Sequence, residues 1–100
     1  MSTIIYSIED IKKMIYEVLI NTDVEKAILF GSYAKKTPTS ESDIDILIDS
    51  NGKIKGLRFF AIIDMIREKF DKNVDVIEKS EIEKDSRIEI ERTGIVVYEK

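Results

Sequence analysis

The seven residues Asp43-Ile-Asp-Ile-Leu-Ile-Asp49 constrain this chain more than any other stretch. On an extended backbone, Ile44, Ile46 and Ile48 share one face while Asp43, Asp45 and Leu47 share the other. Strict alternation predicts a strand with one face in a core. The opposite face then carries two carboxylates side by side, which repel unless water solvates them or a cation lies between them. Aspartate is depleted in strands, so either arrangement has to be accounted for.

The flanking sequence supplies further elements. Ser7, followed three residues later by Asp10, resembles a capping box, and Ile8, Ile11, Ile15 and Val18 recur at helical spacing, with Met14 and Leu19 widening the stripe. A first helix is predicted over residues 8–20. Residues 24–30 end in Ala-Ile-Leu-Phe and stop at Gly31-Ser32, the pattern of a largely buried strand broken by a glycine turn. A polar loop, residues 37–42, leads to the Asp43–Asp49 strand. After the Asn51-Gly52 turn, Phe59, Ile62, Ile63, Ile66 and Phe70 predict a second helix over residues 57–70. Residues 73–77 read as a third strand, with Val74 and Val76 inward and Asp75 on the other face. Ser80 and Glu83 suggest another capping box opening a polar helix before Gly94, with a thin stripe of Ile82, Ile88 and Ile90. Residues 95–98 form a last β-branched strand.

Composition narrows the chemistry. With 100 residues and 43% hydrophobic content, the expectation is one compact domain spanning residues 1–100. Sixteen basic residues against twenty acidic ones give a net charge of −4, which argues against broad electrostatic binding to nucleic acid. Cysteine and histidine are both absent, excluding disulfide scaffolds, zinc fingers, thiol nucleophiles and histidine bases. No stretch of about 18 apolar residues is present to span a membrane, and the N-terminus lacks the apolar run of a signal peptide. A cytoplasmic protein is expected.

Three features converge on a candidate site: Gly31-Ser32, Asp43-Ile44-Asp45, and Asp75. Taken singly, each has a plain explanation: a Gly-Ser after a strand is usually a turn, an Asp pair can be a solvated edge, and a Val-Asp-Val alternation fits any half-buried strand. Together they place hard oxygen ligands suited to Mg²⁺ beside a turn whose backbone N–H groups can meet phosphate.

Ala27-Ile28-Leu29-Phe30-Gly31-Ser32-Tyr33-Ala34, with ten residues between Ser32 and the following Asp43-Ile44-Asp45, resembles the signature of the DNA polymerase β-like nucleotidyltransferases. The short chain resembles their minimal, MntA-like branch. The resemblance implies an α/β (α+β) fold, a small mixed sheet of about four strands with helices packed on one face. It implies two Mg²⁺ ions held by Asp43, Asp45 and Asp75, which are then the catalytic set, and ATP as substrate. Gly31 and Ser32 would bind the triphosphate, with Lys35 and Ser42 also at the nucleotide. The family usually carries Arg-Gly after Tyr-Ala, where this chain has Lys35-Lys36. Lys35 keeps the charge but not the bidentate fork of arginine.

Little chain remains for an acceptor pocket, so the expected acceptor is brought by a partner. The resemblance implies a HEPN-domain RNase toxin, a tyrosine of which receives AMP, with this chain as the antitoxin of a type VII pair that forms an oligomer with it. Two other readings stay open: an antitoxin that masks its partner without transferring anything, and a nucleotidyltransferase acting on a small molecule.

Overall fold

The structure, a computed structural model, describes residues 4–100. Helix α1 (Ile8–Leu19) starts as its sequence predicts: the Ser7 hydroxyl accepts the Asp10 N–H at 3.0 Å. It turns Ile11, Ile15, Val18 and Leu19 into the core, and Thr22 closes its end by donating to the Leu19 carbonyl at 2.7 Å. Strand β1 (Lys26–Phe30) follows, two residues shorter than the pattern suggested. Val24 is buried but lies outside the ladder, its N–H donating to the Thr22 hydroxyl.

Strand β2 (Ile44–Asp49) runs antiparallel to β1, and β3 (Val74–Glu78) runs parallel to β2. Helix α2 (Leu57–Lys69) makes the crossover that a parallel pair requires. Strand β4 (Ile95–Glu99) adds antiparallel to the free side of β1, giving a four-stranded mixed sheet in the order β3-β2-β1-β4.

Helices α1 and α2 cover one face of the sheet. Ile44, Ile46 and Ile48 point into that layer, together with Ala27, Leu29, Val74, Ile62 and Ile66. Ile28 and Leu47, paired across β1 and β2, are also buried but lie outside this cluster, on the opposite face. The end of helix α3 (Lys84–Thr93) reaches Ile28 through Gly94.

The stretch before α3 departs from the expected capping box. The Glu78 carboxylate, buried at the end of β3, accepts the Ser80 N–H at 2.8 Å and bonds its hydroxyl, drawing Ser80 into a 3₁₀ turn over Lys79–Glu81. The helix begins only at Lys84, behind Glu83, with no side-chain cap. A carboxylate two residues upstream outcompeted the cap that the spacing suggested. The thin apolar stripe matches the burial: no residue of α3 is buried, and Ile88 is 49% exposed.

What fixes α3 is its exit. The Gly94 N–H donates to the Ile90 carbonyl at 2.7 Å. A Cβ on Gly94 would press into the Ile28 side chain and lie 2.9 Å from the Leu29 carbonyl oxygen. Gly94→Ala is therefore expected to cost about 1–3 kcal/mol, the range for overpacking a filled site. Ile88→Ala should stay within about 0.5 kcal/mol. Urea denaturation of both variants checks the contrast.

Candidate active site

The β1–β2 and β2–β3 registers bring Phe30, Asp45 and Asp75 to one level across three strands. Gly31, one residue beyond Phe30, sits against Asp45 at φ +74°. A Cβ there would drive into the Asp45 carboxylate, so glycine is required twice over, by backbone conformation and by space.

After Gly31 the chain makes a single helical turn. The Lys35 N–H donates to the Gly31 carbonyl at 3.1 Å, Lys36 N–H to Tyr33 at 3.2 Å and Thr37 N–H to Ser32 at 3.0 Å. The last two form the paired closure of a helix C-terminus, with Lys36 left-handed at φ +61°. Lys36 thus adopts the conformation that the glycine usual at this position takes without strain. At the start of the turn, the N–H groups of Ser32, Tyr33 and Ala34 find no acceptor among the described residues. Three successive unsatisfied amides beside Asp45 make a concavity suited to an anion.

The carboxylates face this turn. Asp43 is exposed, Asp45 half-buried and Asp75 exposed, its Oδ1 accepting from Asn73 Nδ2 at 3.3 Å. No lysine or arginine pairs with any of the three among the described residues. Burial pushes the Asp45 carboxyl up to about 6 from 3.8, reinforced by the charges of Asp75 and Asp43 and by a hydrogen bond with Asp75. The fold thus holds the Asp45 and Asp75 carboxyl groups at close range. The described residues include no group of three acidic side chains already gathered as a metal site. The donor set nevertheless fits a hard divalent cation, which would relieve the repulsion between the carboxylates.

The other expected residues are placed differently. Lys35 is exposed in the turn, with no ion-pair partner among the described residues. The Ser42 hydroxyl accepts the Thr39 N–H at 2.8 Å and so closes the loop before β2. Ser42 and Asp43 border a cavity of about 700 Å³, together with Phe70 and Lys72, whereas Gly31, Asp45 and Asp75 lie outside its wall. Sequence patterns gave no role to Tyr33, Lys72 or Asn73, whose contacts join distant segments. Tyr33 is 1% exposed, and its hydroxyl accepts from Lys72 Nζ at 3.1 Å.

Two outcomes follow from this geometry. Because the folded Asp45 holds its proton up to about pH 6 while the unfolded chain loses it near 3.8, its contribution to stability falls as pH rises through that window. Asp45→Asn should remove the decline, so that its stability relative to the parent increases between about pH 4 and about pH 7 in urea titrations. Lys36→Gly should raise stability by about 1 kcal/mol by relieving the left-handed strain, measured by the same titration at fixed pH.

A family model described as "Polymerase beta, Nucleotidyltransferase" matches residues 9–100. Two Methanocaldococcus jannaschii proteins, both provisionally named protein adenylyltransferases, are similar. One is 35% identical over 78 residues, covering 71% of this chain and 76% of the relative. The other is 32% identical over 74 residues, covering 74% and 86%. The fold also matches a toxin–antitoxin crystal structure with AMP-PNP, at TM-score 0.75 and 19% identity over 89% of this chain and 73% of that one. A complex of a tri-AMPylated Shewanella oneidensis HEPN toxin with its MNT antitoxin matches at TM-score 0.70 and 16% identity, over 93% and 73%. The glycine turn, the carboxylates aligned across the sheet and the matched family model agree: the chain belongs to the polymerase β nucleotidyltransferase family and is a nucleotidyltransferase.

Proposed function

We propose that this nucleotidyltransferase moves AMP from ATP to a tyrosine hydroxyl on a HEPN-domain toxin, acting as the antitoxin of a type VII pair. The observation that carries the reading is the pairing of Asp45 with Asp75 across β2 and β3, set against the unsatisfied amides after Gly31. Support for a protein acceptor comes from the provisional naming of the relatives and from the AMPylated HEPN toxin seen with the MNT antitoxin of like fold.

In the proposed reaction the acceptor oxygen attacks the α-phosphorus of ATP, the bond to the β-phosphate oxygen breaks, and pyrophosphate and one proton leave. The Ser32, Tyr33 and Ala34 amides meet the triphosphate oxygens, and Gly31 lets the backbone approach closely. Lys35 adds positive charge at the mouth of the turn. Asp43, Asp45 and Asp75 would hold Mg²⁺, which when bound neutralises phosphate charge and favours ionisation of the attacking hydroxyl. Asp75, exposed at the margin of the set, would receive the hydroxyl proton, with the hydrogen bond from Asn73 orienting its carboxylate.

Intact mass spectrometry of a HEPN-domain partner after incubation with this chain, ATP and Mg²⁺ should show one or more added AMP units. Asp45→Asn should reduce transfer by on the order of 10²-fold or more, while circular dichroism shows the fold retained. A partner that is silenced yet unmodified would replace transfer with masking as the mode of neutralisation.

A further inference from the structure

We propose that Lys72 is a positioning residue for nucleotide binding, locking the turn after Gly31 to the strand starts that carry the carboxylates. The inference rests on the nucleotidyl-transfer reading but concerns a side chain to which that reading gives no role.

Lys72 is half-buried, and no acidic side chain pairs with it among the described residues. Its charge is held by other means. Nζ lies 5.4 Å from the centroid of the Tyr33 ring, donates to the Tyr33 hydroxyl at 3.1 Å and reaches the Ser40 carbonyl at 3.5 Å. Each partner belongs to a part of the site. Tyr33 supplies one of the unsatisfied amides, and its carbonyl accepts the Lys36 N–H that closes the turn. Ser40 lies three residues before Asp43, in the loop that delivers it. The Tyr33 hydroxyl also accepts the Tyr6 N–H at 3.4 Å, so the lysine grips a ring that is fixed from a second side.

The neighbours of Lys72 extend the same connection. The Asp71 N–H donates to the Tyr6 hydroxyl at 2.8 Å, and Tyr6 packs edge-on to Phe70 with ring centroids 5.1 Å apart. The Asn73 carbonyl accepts the Ile44 N–H at 3.1 Å, and the Asn73 side chain holds Asp75. Residues 70–73 therefore touch the phosphate-facing turn, the start of β2 and the β3 carboxylate together. Lys72 is the member that crosses to the turn. Removing its charge would free Tyr33 to move relative to Asp43 and Asp45, with the amide cradle moving along with it. Nucleotide affinity should suffer more than the chemical step, because the carboxylates stay anchored through their own strands.

The test uses the full chain with Lys72→Met, Lys72→Arg, Tyr33→Phe and the Lys72→Met/Tyr33→Phe double variant. Calorimetry with a non-hydrolysable ATP analogue and Mg²⁺ should show Lys72→Met weakening binding about tenfold, the scale of one charge-assisted hydrogen bond. Lys72→Arg should restore most of the loss. The double variant should be little worse than Lys72→Met, because both changes break one connection. In transfer assays KM for ATP should rise with kcat changed less than about twofold. Without nucleotide, amide exchange at Lys35, Lys36 and Thr37 should quicken in Lys72→Met. Lowered thermal stability with unchanged analogue affinity and unchanged exchange would make Lys72 a packing residue only and overturn the proposal. If the parent chain binds no nucleotide, the transfer reading fails by itself, and unchanged amide exchange in Lys72→Met still decides against the positioning role.

Discussion

The site depends on one interaction, the juxtaposition of Asp45 and Asp75 across the parallel β2–β3 pair. Two like-charged groups are brought together because the residues flanking them must go inward. Ile44, Ile46 and Val74 are fully buried and Val76 packs against the same core, so each aspartate is turned to the opposite face. A slip of one residue in either strand would bury a carboxylate and expose an isoleucine or valine row. Hydrophobic burial thus fixes the register, and the register sets the electrostatics. Burial raises the Asp45 carboxyl, and that repulsion adds to the shift.

Gly31 follows from the same constraint. With Asp45 opposite Phe30, the residue just past β1 must carry its backbone alongside the carboxylate. A side chain at that point would displace it, so the turn and the acidic face can exist together only through glycine. The close approach is also what sets free amides beside carboxylates, an arrangement that suits phosphate on one side and a cation on the other. Lys36 shows that the far end of the turn is less constrained. It is held left-handed without glycine, by the two backbone bonds that close the turn.

Much of this was legible in the sequence. Alternation placed Asp43, Asp45 and Asp75 on the face away from the core, and a glycine after a buried strand placed the turn. The helices followed from stripes whose period tertiary packing reinforced. The start of α3 was not legible, because Ser80 and Glu83 have the spacing of a cap while the deciding group, the Glu78 carboxylate, belongs to the preceding strand. The pairing of Lys72 with Tyr33 was also hidden. Their contact spans 39 residues, and the bond from Asp71 to Tyr6 spans 65, distances at which local periodicity carries no signal. Ser42 was legible as a polar loop residue, but its hydroxyl serves the loop's own closure.

The two ends of β2 show how the fold separates stability from chemistry. Asp49, at the C-terminal end, accepts the Asn51 N–H at 2.9 Å and pairs with Lys79 at 3.3 Å, while Lys79 also reaches Glu91 at 3.3 Å. That end binds the 3₁₀ turn and α3 to the sheet through a lysine shared by two carboxylates. At the other end, Asp43 and Asp45 face Asp75 with no basic partner among the described residues, beside a turn carrying a left-handed lysine and unpaired amides. The same residue type on the same strand is neutralised at one end and left crowded at the other. The difference comes from the neighbours that the fold supplies. A sheet anchored by Ile44, Ile46 and Ile48 can hold that crowding in place, because relaxing it would require moving side chains that are already fully buried.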